Sequence, residues 1–291
     1  MRTINGKILL RHNRDLSQTE FQIARDLCDR INQFVRDRDA YVAENHRNPQ
    51  FCSPDGMWSP TAHNDYLNTF TKVSACSFEV INRLRLFVSF FSGYSLRRAS
   101  IVPGAPSFET MSSSLDLEID KLMKLPDEWV SRWITLTAGI PTDLIFSPPR
   151  FLGEIGWDVS GVVVNHDTCV YQERINLLYE AGIFDWLSDR LSSKGRLRIL
   201  EIGAGYGALG CKIKSLFPAS DYWICDLPES LLFSALYLSL NRPDCKAGIG
   251  EEAPYGFTYI PNYQIDRITG KFDLVINTLS FSEMSAKEKG S

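Results

Sequence analysis

Four glycines lie within eight residues in the stretch RILEIGAGYGALG, which spans residues 198–210. They follow a short apolar run, and the residues after them favour a helix. Glycine allows a sharp bend and lets a ligand approach the backbone, while the following helix offers free N–H groups. Asp226 lies 23 residues after Gly203, at the end of the next predicted strand, where a carboxylate can bind both hydroxyls of a ribose. These residues predict a nucleotide-binding turn.

The glycine loop fits two cofactor patterns. Gly203, Gly205 and Ala208 satisfy the dinucleotide pattern G-x-G-x-x-G/A. Gly207 in place of Ala208 gives G-x-G-x-G, the pattern of S-adenosylmethionine-dependent methyltransferases. The glycines alone do not decide between the two. Glu201 favours the second, because a carboxylate repels a diphosphate but suits the ammonium group of S-adenosylmethionine.

The elements that must position these residues change in character along the chain. The first 150 residues show apolar side chains at helical spacing, and residues 150–167 are predicted to form a β-hairpin that turns near 158–161. Beyond residue 196, strands alternate with short helices. Four strands are predicted, at residues 197–202, 222–225, 257–260 and 272–277. This alternation predicts a parallel sheet with helices on its faces.

The composition argues against several classes of protein. The chain has 291 residues, of which 44% are hydrophobic, and a net charge of −4, which does not favour binding to nucleic acid. Its seven cysteines form no C-x-x-C pair, so we expect reduced cysteines and no zinc site. No apolar run approaches the ~20 residues of a membrane-spanning helix. We therefore predict a soluble, cytoplasmic protein without a membrane partner.

With these residues in view, the segment from about Phe151 to Met284 resembles the sugar O-methyltransferase family. The matching stretches are FLGEIGWDVSG, VVNHDTCVYQERINLLYEAGIFDWL, ILEIGAGYGALG, YWICDLPESLLFSALYL and FDLVINTLSFSEM. The resemblance implies an α/β, Rossmann-like methyltransferase fold, S-adenosyl-L-methionine as cofactor, and O-methylation of a sugar hydroxyl. The implied domains are a mainly helical region at residues 1–150 and a cofactor-binding methyltransferase domain at residues 151–291.

The predicted cofactor site combines the loop with residues that the resemblance adds. Arg174 is a candidate clamp for the cofactor's carboxylate, although a solvated helix face explains it as well. Tyr263 and Gln264 follow the third strand, where this fold contacts adenine. The full predicted set is Tyr171, Arg174, Glu201, Gly203, Ala204, Gly205, Gly207, Asp226, Leu227, Tyr263, Gln264 and Asn277. No metal-binding residues are predicted.

The general base has three candidates. His166 and Asp167 precede the helix implied to lie over the site, and histidine titrates near neutrality. The alternative is that both residues simply satisfy the start of that helix. Glu283 follows the fourth predicted strand, and its alternative is a surface carboxylate at a helix start.

The predicted sheet is incomplete by comparison with a methyltransferase, which has seven strands. The chain ends soon after the fourth, which would leave an apolar edge strand. Two explanations stay open: the chain is a fragment or a truncated gene product, or a partner, such as a second copy of the chain, covers that edge. Two other functions stay open at this stage: an NAD-dependent oxidoreductase, and a non-catalytic binding or scaffold chain.

Overall fold

The computed structural model describes residues 2–4, 7–11, 13–46, 52–53, 73–74, 77–88, 126–278 and 280. Their contacts divide the chain into two compact units. The first unit comprises Met1–Ser17 and Phe78–Phe184, and the second comprises Gln18–Ser77 and Asp185–Ser291. The units interleave along the chain, whereas the sequence analysis predicted one boundary near residue 150.

An antiparallel sheet with the order β1-β2-β3-β4 organises the first unit. Its strands are β1 (Arg2–Ile4), β2 (Lys7–Arg11), β3 (Ile155–Val159) and β4 (Val162–Val164). The predicted hairpin is confirmed, since β3 pairs with β4 and the turn places Ser160 and Gly161 at φ 53° and 86°. Two successive positive φ values are typical of a type I′ turn. β1 and β2 differ from the predicted helical character because β2 pairs with β3, far along the chain.

In the described part of the first unit, four helices accompany this sheet. They are α2 (Phe78–Asn82), α3 (Leu84–Phe87), α4 (Pro126–Thr137) and α5 (His166–Glu180), and a 3-10 turn lies at Thr142–Leu144. α4 packs against α5, with Trp129 and Trp133 buried one turn apart. α5 begins where the Asn165 side chain accepts a hydrogen bond from the Thr168 N–H at 2.9 Å, which caps the helix.

A parallel sheet of five strands organises the second unit, in the order β7-β8-β6-β5-β9. Its strands are β5 (Leu197–Ile202), β6 (Ser220–Asp226), β7 (Ala247–Ile249), β8 (Phe257–Pro261) and β9 (Leu274–Asn277). The prediction of four strands was wrong by one, because β7 is three residues long with a glycine at its centre and carries no strand signal. β9 lies at one end of the described strand order, as predicted for the last strand.

Several helices accompany the parallel sheet of the second unit. They are α1 (Gln18–Glu44), α6 (Ile183–Lys194, which begins at the boundary of the units), α7 (Ala208–Leu216) and α8 (Pro228–Asn241), with a 3-10 stretch at Asn262–Arg267. α8 is buried on nearly all sides because it packs against α1, α7, β6 and β8. The second unit is thus α/β, and its strand order is compatible with a Rossmann-like fold.

Two chain-wide predictions can be compared with the described residues. No helix among them is long and apolar enough to cross a membrane. Five of the cysteines are free thiols, namely Cys52, Cys169, Cys211, Cys225 and Cys245. Cys28 is disulfide-bonded, so the prediction that all cysteines are reduced was wrong at this position.

Candidate functional site

The glycine loop leaves the carboxyl end of β5 and leads into α7. Gly203, Gly205 and Gly207 have φ values of 74°, 59° and 89°, which side chains with a Cβ rarely adopt. The Gly203 N–H donates to the Cys225 carbonyl at 2.9 Å, and the Gly207 N–H donates to the Ala204 carbonyl at 3.0 Å. The loop is therefore a tight turn anchored to the neighbouring strand, as the glycine spacing predicted.

Two close approaches add to the need for glycine in this loop. A Cβ at position 203 would overlap the side chain of Ser280, and a Cβ at position 207 would lie 2.9 Å from Leu238 Cδ1. Contacts this short do not occur between real side chains, so a larger residue would displace the loop or its neighbours. Ser280 was not predicted to matter, since it lies 77 residues after Gly203.

Three strand ends meet at the loop. Ile202, the last residue of β5, is level with Cys225 on β6 and Asn277 on β9. The Asn277 Nδ2 donates to the Ile202 carbonyl at 2.9 Å and ties the ends of β5 and β9 together. β5 is where the strand order turns, with β6 on one side and β9 on the other, and ligands of open α/β sheets bind outside the carboxyl ends at that point.

Glu201 lies under the first turn of α7. It is 1% exposed, and its Oε2 accepts a hydrogen bond from the Tyr222 hydroxyl at 2.9 Å. A Cβ at Gly210 would lie 3.4 Å from the same oxygen, so the helix passes close to the carboxylate. A negative charge at this end of a helix is favourable because the N-terminal N–H groups carry partial positive charge.

Asp226 and Leu227 end β6 and begin α8. Asp226 is half-buried, and its Oδ1 accepts a hydrogen bond from the Leu227 N–H at 2.8 Å. Leu227 occupies the N-cap position without a side-chain cap. Asp226 is one residue past Cys225, so its carboxylate belongs to the edge of the sheet that also carries the glycine loop. Ala204, within the loop, is buried.

Tyr263 and Gln264 follow β8 in the 3-10 stretch. The Tyr263 hydroxyl donates to the Phe34 carbonyl at 2.8 Å, its ring lies 5.2 Å from the ring of Tyr41, and burial raises its pKa to about 12. The Gln264 Oε1 accepts a hydrogen bond from Arg267 Nη1 at 2.8 Å. Both side chains are buried, and Tyr263 packs this segment against α1. Their contact with an adenine stays a prediction.

His166 and Asp167 lie together in the first unit, at the start of α5. His166 Nδ1 is 3.2 Å from Asp167 Oδ1, and the two side chains are 4% and 3% exposed. The edge of the His166 ring meets the Trp129 ring at a centroid distance of 4.9 Å. Asn165 caps the helix, so the start of α5 does not depend on these two side chains as its N-cap. A paired histidine and carboxylate can serve as a general base.

Arg85 and Glu154 extend this pair into a buried cluster that the sequence analysis did not foresee. Arg85 Nη2 donates to Asp167 Oδ2 at 2.9 Å, and Arg85 Nε donates to Glu154 Oε2 at 2.7 Å. Burial would raise the pKa of Asp167, but the hydrogen bond with His166 and the charge of Arg85 outweigh it and hold this pKa at about 2. No local pattern could reveal Arg85, since it lies 82 residues before Asp167.

Tyr171 and Arg174 also belong to the first unit. Tyr171 is 1% exposed and packs against Phe146, with a distance of 5.6 Å between ring centroids. The Arg174 guanidinium lies over the Tyr171 ring, 4.8 Å from its centroid. Such stacking holds the guanidinium in place. The role of either residue in binding a cofactor stays a prediction.

The structure thus distributes the predicted site residues between its two units. The second unit brings the glycine loop, Glu201, Asp226 and Asn277 to one edge of the parallel sheet, whereas His166, Asp167, Tyr171 and Arg174 belong to the first unit. Glu283 lies outside the described residues. Among the residues that are described, no group of three or more His, Cys, Asp or Glu side chains could hold a metal ion.

Comparisons with known proteins do not assign this site. A scan against protein-family models, a search of curated proteins and a search of solved structures each found no match for the chain.

Proposed function

We propose that this protein is an S-adenosylmethionine-dependent methyltransferase that methylates a hydroxyl group, with a sugar as the acceptor that the family resemblance implies. One observation carries the proposal. The positive-φ glycine loop lies where the strand order turns, with buried Glu201 beneath the helix that follows and Asp226 on the neighbouring strand. Such an edge suits an adenosine-containing cofactor.

Glu201 favours S-adenosylmethionine over a dinucleotide. A dinucleotide places its diphosphate at the N-terminus of the helix after the loop, where the partial positive charge attracts it. Here a buried carboxylate already lies beside the first turn of α7. A second negative group nearby would be repelled in a site of low dielectric, whereas a cofactor that carries an ammonium group would be attracted.

The residues of this chain have separable roles in the proposed reaction. Asp226 would hold the ribose hydroxyls, and the backbone N–H groups after Gly203 would contact the rest of the cofactor. The bound cofactor supplies a methyl group that is already activated on a sulfonium. The acceptor hydroxyl must also lose its proton to a general base, a contribution of about 10²–10⁴-fold in rate.

Isothermal titration of the purified chain with S-adenosylhomocysteine, and separately with NAD⁺, tests the proposal. We expect selective binding of S-adenosylhomocysteine. Binding of NAD⁺ alone would overturn the proposal in favour of an oxidoreductase, which the pattern of Gly203, Gly205 and Ala208 permits. Binding of neither ligand by a folded chain would favour a scaffold role.

Asp226→Ala is expected to weaken the binding of S-adenosylhomocysteine about tenfold or more. Hydrogen bonds that a charged group accepts contribute about 1.5–3 kcal/mol, and each ~1.4 kcal/mol corresponds to a factor of ten in affinity. Titration calorimetry on the variant measures the change.

Asp244→Ala is the matched control for Asp226→Ala. Asp244 lies past the opposite end of α8, where it pairs with Arg242. Its loss should leave the affinity within a factor of about two, because Asp244 is 62% exposed and the whole of α8 separates it in the chain from Asp226. Equal affinities for the two variants would remove Asp226 from the cofactor site.

A further inference from the structure

A cluster of four ionisable side chains is buried in the first unit. Arg85 on α3, Glu154 just before β3, and His166 with Asp167 on α5 are each no more than 4% exposed. Every nitrogen of the Arg85 guanidinium donates a hydrogen bond: Nε to Glu154, Nη2 to Asp167, and Nη1 to the Val88 carbonyl at 3.1 Å. The guanidinium is therefore fixed in one orientation, and it fixes the two carboxylates.

The other oxygens of the two carboxylates are also engaged. Glu154 Oε1 accepts a hydrogen bond from Asn165 Nδ2 at 2.7 Å. Asp167 uses Oδ2 for Arg85 and Oδ1 for His166. Because the pKa of Asp167 is held at about 2, its carboxylate is ionised and can only accept hydrogen bonds. The proton of the bond between His166 and Asp167 must then lie on Nδ1, which leaves the lone pair of the neutral imidazole on Nε2.

We propose that Arg85, itself fixed by Glu154, is a positioning residue that turns the Asp167 carboxylate onto His166 Nδ1, so that the neutral imidazole carries its proton on Nδ1 and its lone pair on Nε2. The tautomer of His166 can be measured without cofactor or acceptor.

Nitrogen NMR of the full-length chain, labelled with ¹⁵N-histidine, reports the tautomer directly. The chain has four histidines, and His166→Gln assigns the resonances of His166. At a pH of about 9, where histidine side chains are neutral, we expect the Nδ1–H tautomer to exceed the Nε2–H form by at least about tenfold. A dominant Nε2–H form in the wild-type chain would overturn the proposal.

Asp167→Asn is expected to reverse the tautomer. Arg85 can only donate, so it will attract the amide oxygen of the new side chain and leave the amide NH₂ facing His166 Nδ1. Nδ1 must then accept, and the proton moves to Nε2. This variant keeps Arg85 and Glu154 as a neutral pair, so it should fold. An unchanged Nδ1–H tautomer would show that Arg85 does not orient the side chain at position 167.

Removing Arg85 from the Asp167→Asn variant tests whether Arg85 itself orients the side chain at position 167. In Arg85→Met/Glu154→Gln/Asp167→Asn, neutral side chains replace the guanidinium and both carboxylates, and the amide at position 167 can turn its oxygen back to His166. We expect the Nδ1–H tautomer to return, while Arg132→Met, the control on α4, leaves the wild-type tautomer unchanged. Persistence of the reversed tautomer in the triple variant would contradict the role of Arg85. If the tautomers change as expected but the chain binds no S-adenosylhomocysteine, the proposed function is overturned, while the positioning of Asp167 by Arg85 is supported.

Discussion

Replacing Arg85 with methionine is expected to lower the free energy of unfolding by about 3–5 kcal/mol. Methionine fills similar space but leaves Glu154 and Asp167 buried without their cation. Desolvated carboxylates that lose their partner either stay ionised at high cost or take up protons, and both outcomes destabilise the folded chain. Urea unfolding of the variant and the wild-type chain at neutral pH measures the difference.

Arg132→Met is the matched control for this prediction. Arg132 pairs with Glu173 at a similar distance, but the two side chains are 28% and 50% exposed. Water compensates such a pair when it is broken, so we expect a loss of no more than about 1 kcal/mol. Neutralising both carboxylates in the Arg85→Met background, with Glu154→Gln and Asp167→Asn, should recover part of the stability. If Arg85→Met and Arg132→Met lose similar free energies of unfolding, burial does not determine how much the contacts of Arg85 stabilise the folded chain.

Gly203→Ala is expected to weaken the binding of S-adenosylhomocysteine at least tenfold. Two effects combine at this position: the backbone has φ 74°, and a Cβ would overlap Ser280. The strained backbone costs on the order of 1–3 kcal/mol. The overlap must be relieved by moving the loop or the segment after β9. Either movement changes the edge of the sheet at which we propose that the cofactor binds. Titration calorimetry gives the affinity, and urea unfolding gives the stability.

Gly195→Ala is the control that separates the effect of backbone strain at a positive φ from the effect of the overlap with Ser280. Gly195 lies in the same unit just before β5 and has nearly the same φ, 72°, but a Cβ there would meet nothing within 4 Å. We expect it to lose a similar amount of stability to backbone strain while its affinity stays within a factor of about two. Ser280→Gly in the Gly203→Ala background should restore part of the affinity. If Gly195→Ala and Gly203→Ala bind equally well, the loop is not the cofactor site.

The features that the sequence predicted correctly are those that a short stretch encodes. Positive φ values at Gly203, Gly205 and Gly207 follow from residue type and spacing, because only glycine adopts them at little cost. The hairpin of β3 and β4 is confirmed for the same reason, since its turn is a local choice at Ser160 and Gly161. The alternation of strands and helices from β5 onward likewise follows from apolar runs separated by helical stretches.

The features that the sequence missed depend on contacts between distant segments. β7 becomes a strand only because it pairs with β8, and β2 becomes part of a sheet because it pairs with β3. The division of the chain into interleaved units has the same origin, since α1 joins the unit of α8 far along the chain. Strand formation in short segments reflects packing more than local propensity, so no pattern within three residues could predict it.

The residues of the candidate site show the same difference between what local sequence encodes and what distant contacts decide. Glu201 and Asp226 could be selected from the sequence because their places relative to the glycine loop are fixed by adjacent strands. His166 and Asp167 could be named as a pair, but not their protonation states. The low pKa of Asp167 depends on its hydrogen bond with His166 and on the charge of Arg85, which folding brings from 82 residues away into a buried cluster. The sequence by itself determined which groups could bind and react, and only the tertiary structure decided their burial, partners and charge.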